Sequence, residues 1–236
     1  MNTKLRKIGS EANQTVHKAT IFIFFSTFPV TSYFKGLIMK LSKLFIIGAS
    51  CLMFMGISAQ NPSPLNGKKV LFTYGGWKGH EPLKAVELFL PWLQDMGAKV
   101  DTFTNLEIYT DSAYMHSIDL VIQIHTMSKL SREQEKGLTQ AVKAGTGIAG
   151  WHGGLCDAFR NNVEYQFMTG GQWVAHPGGK IESYTVNIVD KQDPVTAGIE
   201  KFIMTDTEQY YMHVDPNLHV LATTTFSGEH APWIDG

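Results

Sequence analysis

Between residues 69 and 151 the sequence alternates short apolar runs with segments of helical hydrophobic period. Four runs have the length and composition of buried strands: 69–74, 98–103, 119–125 and 147–151. Two segments carry their apolar residues on one helix face: 82–96 and 131–144. Strands that alternate with helices in this order form a mainly parallel sheet. We therefore predict an α/β fold, with strand 98–103 at an edge of the sheet.

Both predicted helices have recognisable ends. Pro82 suits the first turn of the first helix, and Gly97 suits the position after its last turn. The second helix opens on a capping box from Ser131 to Gln134, and Gly145 ends it. These signals limit the two helices to 14 or so residues each, a common length in globular domains.

The pattern changes after residue 171. Residues 181–189 alternate apolar and polar side chains, which predicts a half-exposed strand, and residues 218–223 are a further strand candidate. The C-terminal part is therefore expected to add strands of a different kind to the parallel unit.

Residues 39–59 have the pattern of a secretory signal peptide. Lys40 and Lys43 form a basic start, an apolar run occupies 44–57, and small residues follow it. The run is shorter than the ~20 residues that a membrane span needs. We expect a periplasmic or secreted protein with no membrane contact beyond this segment.

The signal begins at an internal methionine, Met39. Residues 1–38 hold another apolar stretch at 19–30, and we interpret them as an upstream extension from a start codon assigned too early. A second membrane anchor is the alternative. Residues 60–236 are then long enough for one α/β domain with its own core.

Charge and cysteine content exclude several functions. Residues 1–59 hold seven Lys and Arg and one Glu, which leaves 13 basic and 20 acidic residues and a net charge of −7 in the rest. For a chain of this charge we expect no nucleic-acid partner. Cys156 is the only cysteine after residue 59, so no disulfide framework is expected. The oligomeric state stays open.

Histidines stand where predicted elements run into glycine-rich loops. His80, His125 and His152 each follow a predicted strand, and His176 follows the pair Gly170–Gly171. Ligands of open parallel sheets bind outside the carboxyl ends of the strands, and three of these histidines fall there. A cluster of imidazoles at this rim predicts a metal site or acid–base chemistry.

His152 and His80 are the predicted catalytic residues. Glycines flank His152, so a ligand can approach it closely. His80 lies near the start of a helix, whose dipole favours a neutral imidazole. The glycines at 75, 76 and 79 lack the spacing of a dinucleotide fingerprint, so no nucleotide cofactor is expected.

Five motifs resemble the ThuA-like (trehalose utilisation) family from about residue 68 to the end: 75–80, 150–154, 170–177, 193–199 and 208–210. The resemblance implies a flavodoxin-like, three-layer sandwich related to the class I glutamine amidotransferases, and a role in sugar metabolism. Related amidotransferases carry a nucleophilic cysteine at the strand-to-helix elbow where His152 stands here. The family pattern continues past Gly236, so the domain is predicted to be truncated at its C-terminus.

The resemblance also implies the remaining site residues. With His80 and His152, it makes His176 and Glu208 ligands of a divalent metal, with zinc as the first choice for a His and carboxylate set. No recognised metal spacing such as His-Glu-x-x-His is present. The predicted sugar-binding residues are the following: Trp77, Trp151, Asp157, Arg160 and Tyr210.

We predict a protein that acts on a small carbohydrate, a sugar or oxidised sugar derivative, by histidine-based acid–base chemistry. A hydrolase, a lyase and an isomerase all suit such a site. A non-catalytic carbohydrate-binding module is the alternative, and a hydrolase that uses Cys156 is a third hypothesis. Asp157 and Arg160 have an alternative role as an i,i+3 pair on a helix.

Overall fold

The computed structural model describes residues 63–236 and the backbone of residues 21–22. Its main sheet has five parallel strands in the order β1-β5-β4-β2-β3. The strands are β1 (Ile21–Phe22), β2 (Lys69–Gly76), β3 (Lys99–Phe103), β4 (Leu120–Thr126) and β5 (Gly147–Gly150). The predicted parallel α/β sheet is confirmed, and β3 lies at an edge as predicted.

The helices begin and end close to the predicted positions. The structure has α1 (Pro82–Asp95), α2 (Ser112–Ser117), α3 (Arg132–Ala144) and α4 (Val163–Thr169). Both hydrogen bonds of the capping box are present at the start of α3, and Gly145 ends this helix in the left-handed conformation. The short helices α2 and α4 were not predicted, because six or seven residues give too little hydrophobic period.

The side chains of β2 alternate between two apolar layers. Val70 and Phe72 face α1, which contributes Val86 and Leu93 to the same buried cluster. Leu71 faces the opposite layer, in which residues of α3 and α4 pack against the sheet. Helices therefore cover both faces of the sheet, which is the predicted three-layer arrangement.

A buried polar network crosses the centre of the second layer. Thr73 Oγ1 donates to Gln123 Oε1 at 2.7 Å, and the hydroxyl of Tyr109 also donates to this oxygen at 2.5 Å. Gln123 Nε2 donates to the carbonyl of His125 at 3.1 Å, at the rim end of β4. Burial raises the pKa of Tyr109, so its hydroxyl keeps the proton that the network needs.

Helix α3 lies against the backbone of the 3₁₀ turn Glu107–Thr110. A Cβ atom on Gly137 would be only 1.7 Å from the carbonyl oxygen of Tyr109. Only glycine therefore permits this separation of helix and turn.

The C-terminal part forms antiparallel ribbons. They consist of β6 (Gly171–Ala175), β7 (Lys180–Ile188), β8 (Phe202–Glu208), β9 (Tyr211–Val214) and β10 (Ala222–Thr223). β7 pairs with β8 and β10, and β6 pairs with β9. The predicted strand at 181–189 is confirmed within one residue, whereas β6, β8 and β9 were not predicted. These ribbons carry His176, Glu208 and Tyr210.

The predicted signal segment, 39–59, lies outside the described residues, as does all of 1–38 apart from residues 21–22. Among the helices that are described, none is both long and apolar enough to cross a bilayer. β1 pairs with β5 through Ile21 opposite Ala149 and Phe22 opposite Gly150.

Candidate functional site

Two histidines meet where β2 and β5 end. His80 closes the 3₁₀ turn Lys78–His80 after β2, and His152 opens the turn His152–Gly154 after β5. Their ring centroids are 4.7 Å apart. β4 alone separates β2 from β5 in the sheet, so the loops that follow the two strands are near neighbours at its carboxyl edge.

His152 has a left-handed backbone, with φ of 52°. Its carbonyl accepts the N–H groups of Leu155 and Cys156, each at 3.3 Å, and the S–H group of Cys156 at 3.0 Å. This conformation is uncommon for a residue other than glycine and is retained where the surroundings fix it. The three donors therefore hold the turn that presents the imidazole.

Gly153 sets the separation of the two histidines. A Cβ atom on Gly153 would be 2.4 Å from Cε1 of His80, far inside van der Waals contact. The ring of His80 thus lies directly against the backbone of the turn that follows β5. The glycine that the sequence analysis associated with ligand approach instead makes room for another site histidine.

The antiparallel ribbons close the other side of the site. The hydroxyl of Tyr210 is hydrogen-bonded to Nδ1 of His152. Glu208 lies between two imidazoles: Oε2 is 3.9 Å from Nε2 of His152, and Oε1 is 3.6 Å from Nε2 of His176. The structure therefore brings His80, His152, His176, Glu208 and Tyr210 together at one rim.

Arg160 and Trp173 form a platform beside this group. The guanidinium of Arg160 lies 4.3 Å from the ring centroid of Trp173, which is 5.6 Å from the ring of His176 and 6.1 Å from that of Tyr210. Both oxygens of Asp157 accept hydrogen bonds from Arg160. Asp157 is only 5% exposed, so it orients Arg160 and is not open to a sugar.

Burial keeps both central imidazoles neutral. Desolvation lowers the pKa of His80, helped by the neighbouring His152 and opposed by Asp157 and Glu208. Desolvation also lowers the pKa of His152, opposed by Asp157. Burial raises the pKa of Tyr210, so this hydroxyl remains protonated. The site therefore holds neutral proton-transfer groups at neutral pH.

Three buried polar atoms have no hydrogen-bond partner in the described part of the chain: Nδ1 of His80, Nδ1 of His125 and Nε1 of Trp173. Two of these residues belong to the site. Buried polar groups in native proteins are almost always satisfied, by protein, water or a ligand. Trp173 was not among the predicted site residues, and its position three residues before His176 was the available signal.

Two residues have surroundings that differ from those predicted. Trp151, a predicted sugar contact, packs with its ring 4.6 Å from Phe89 and near Phe72 in the layer under α1. His125 faces Gly75 and the carbonyl of Thr104 at the end of β4, and burial lowers its pKa. Trp77 is 54% exposed, beside His80, and remains open to a ligand.

The four predicted metal ligands share the rim and have suitable donor atoms. Tetrahedral zinc with bonds of about 2.0–2.2 Å places neighbouring donors roughly 3.3–3.5 Å apart, slightly closer than the two Glu208 separations. Within residues 63–236, no three His, Cys, Asp or Glu side chains are arranged to hold one ion together. A divalent metal here stays a prediction.

Cys156 is buried, and burial raises the pKa of its thiol to about 12, which opposes a nucleophilic role. We expect Cys156→Ser to keep turnover within about threefold of the wild type, because a hydroxyl can still donate to the carbonyl of His152. Cys156→Val removes the donor and should lower turnover more. Loss of all turnover in the serine variant alone would restore the cysteine hydrolase hypothesis.

Solved structures resemble this fold. A ThuA-like protein from Bacteroides uniformis superimposes with a TM-score of 0.60 and 16% identity, over 72% of this chain and 73% of its own. A ThuA-like protein from Parabacteroides merdae gives a TM-score of 0.52 and 16% identity, over 67% and 68%. A GMP synthase subunit from Thermoplasma acidophilum gives 0.41 and 10%, over 67% and 74%.

No curated protein matches the chain. The family model described as ThuA, trehalose utilisation, matches residues 69–234. This range includes all four parallel strands from β2 to β5 and every residue of the rim. The chain belongs to the ThuA family.

Proposed function

We propose that the protein transfers protons on an oxidised sugar, at a carbon next to a carbonyl group, with His152 and His80 as the acid–base pair. The observation that carries this proposal is the pair of neutral imidazoles whose rings are 4.7 Å apart at the carboxyl edge of the sheet. A pair of groups this close can act on adjacent atoms of one small substrate.

Lowered pKa values support the acid–base assignment. A general base must be unprotonated at the working pH, and a lowered pKa leaves both imidazoles in this form at neutral pH. Perturbed titrating groups in a cluster at a ligand-binding edge are typical of catalytic sites. By contrast, a sugar-binding module has no need of a neutral histidine pair.

Aromatic rings around the histidines support a carbohydrate substrate. Trp77 exposes about half of its surface next to His80, and Trp173 lies next to His176. Apolar faces of sugar rings pack on such indoles. Sugar hydroxyls would also satisfy the unpartnered Nδ1 of His80 and Nε1 of Trp173. The trehalose utilisation family is consistent with this substrate class.

A divalent metal is part of the proposal but not of its steps. His80, His152, His176 and Glu208 would hold it, and when bound it would polarise a substrate oxygen. The work of the chain itself is to position the sugar between the indoles and to move a proton at the histidines.

The proposal is tested by proton exchange. Keto-glycosides and their unoxidised parent sugars are incubated with the protein in D₂O, and ¹H NMR follows the signals next to the carbonyl. We expect deuterium incorporation or bond cleavage with keto-glycosides only. Binding of sugars without exchange or cleavage would overturn the proposal and favour the non-catalytic carbohydrate-binding module.

We also propose that the protein is exported. The basic start, short apolar run and small residues of segment 39–59 support this, and the net charge of −7 that follows gives no reason for a nucleic-acid partner. Protein isolated from its native host should begin at Gln60 on N-terminal sequencing. A cell-bound protein that begins at Met1 or Met39 would contradict this expectation.

A further inference from the structure

We infer that Tyr210 holds His152 in the tautomer with its proton on Nε2, which makes His152 a hydrogen-bond donor to the carbonyl oxygen of the substrate. The inference rests on the proposed function and assigns one half of the acid–base pair. It also changes the predicted role of Tyr210, from a substrate contact to a positioning residue.

The first observation is the bond between Tyr210 and His152. The hydroxyl of Tyr210 engages Nδ1, whereas its distance to Nε2 is 3.5 Å, too long for a strong hydrogen bond. A phenol is protonated at neutral pH and donates readily, and a neutral imidazole has one nitrogen that accepts. When the phenol donates to Nδ1, that nitrogen is the acceptor and the imidazole proton is on Nε2.

The second observation is the charge facing Nε2. Oε2 of Glu208 is 3.9 Å from this nitrogen. An imidazole lone pair directed at a carboxylate is repelled by it, whereas an N–H group is attracted. The phenol at Nδ1 and the carboxylate near Nε2 therefore favour the same tautomer from opposite sides of the ring.

The backbone of His152 keeps the ring between these two groups. The three donors to its carbonyl, from Leu155 and Cys156, fix the turn. His80 packs against one side of the ring and Tyr210 lies on another, with centroid distances of 4.7 and 5.2 Å. Ring rotation that would exchange the two nitrogens is hindered by these contacts.

The tautomer divides the chemistry between the two histidines. The C–H bond next to the substrate carbonyl breaks, and the neutral imidazole of His80 takes the proton. The electron pair of that bond forms a C=C bond, and the carbonyl oxygen gains the negative charge of an enolate. Nε2–H of His152 donates a hydrogen bond to this oxygen and keeps its proton. The reverse transfer restores the carbonyl form.

This division specifies the substrate class. A sugar without a carbonyl group offers no oxygen that can take up the charge, so only an oxidised, keto-bearing sugar can react. It also removes His152 from the predicted metal set, because a nitrogen that carries a proton has no lone pair for an ion.

The inference is tested by long-range ¹H–¹⁵N NMR of the ¹⁵N-histidine-labelled protein at neutral pH, which distinguishes the two neutral tautomers of each ring. Signals of His152 are assigned from their loss in His152→Asn. We expect Nε2–H in the wild type and in the control Tyr211→Phe, whose ring contacts His213 instead. Tyr210→Phe should give a mixture of both tautomers.

Kinetics add a second readout. Because Tyr210 acts through His152, Tyr210→Phe should lower kcat at least about tenfold, the effect expected when one buried hydrogen bond of ~1.4 kcal/mol is lost, with KM little changed. Wild-type His152 with its proton on Nδ1 overturns the inference and leaves Nε2 available to a metal. Nε2–H in a protein that exchanges no keto-sugar proton upholds the tautomer but refutes the proposed function.

Discussion

Turnover of a keto-glycoside should fall by about 10²–10⁴-fold in His152→Asn, the range expected when a positioned acid–base group is lost. Asparagine tolerates the left-handed backbone at this position better than most residues, so the turn should keep its conformation. The asparagine amide does not reach the region that the imidazole occupies between Tyr210 and Glu208. Deuterium exchange measured by ¹H NMR gives the rate.

The matched control is His116→Asn. His116 is an exposed histidine on α2 whose ring bonds the carbonyl of Ser112, and it makes no contact with the rim in the described part of the chain. This variant should exchange at the wild-type rate. If His152→Asn folds, as judged by thermal unfolding, and retains full exchange, His152 has no role in the chemistry.

Gly153→Ala is expected to lower turnover about 100-fold with little loss of stability. The added methyl would meet Cε1 of His80 at 2.4 Å, so the imidazole must move by about 1 Å to restore ordinary contact. Displacement of a catalytic group by this distance is enough for a loss on the order of 10². The ring is half-buried at the rim and can move outward, which limits the effect on the free energy of unfolding.

The control for this substitution is Gly147→Ala at the other end of β5. There the methyl meets a flexible Leu120 side chain at 3.3 Å and the carbonyl of Asp119 at 3.5 Å, both tolerable separations. Steady-state kinetics and urea unfolding are compared for the two variants. Wild-type turnover in Gly153→Ala would show that the spacing of the two rings is unimportant for the reaction.

The parallel unit could be predicted from the sequence because its signals are local. The apolar run that became β4 and the capping box of α3 depend on residues within one turn or strand of each other. Positions of His80 and His152 after their strands follow from the same reasoning, since carboxyl ends of parallel strands share an edge.

The contacts of the site depend on partners that are distant in the sequence. Tyr210 meets His152 across 58 residues, through ribbons whose strands β6, β8 and β9 have weak alternation. Nothing near Trp151 in the sequence reveals that Phe89 of α1 packs against it. Likewise, the burial of Asp157 under Arg160 depends on tertiary packing and not on the i,i+3 spacing that the sequence offers.

The contact of α3 with the turn below it limits how this protein can be made more stable. A glycine in the middle of a helix is usually a good place for alanine, with a gain of about 1 kcal/mol in helix propensity. At Gly137 the new methyl would occupy the position of the Tyr109 carbonyl, and the helix would have to move off the layer that holds the buried network. Engineering for thermostability should therefore leave this residue unchanged and act on the solvent face of α3.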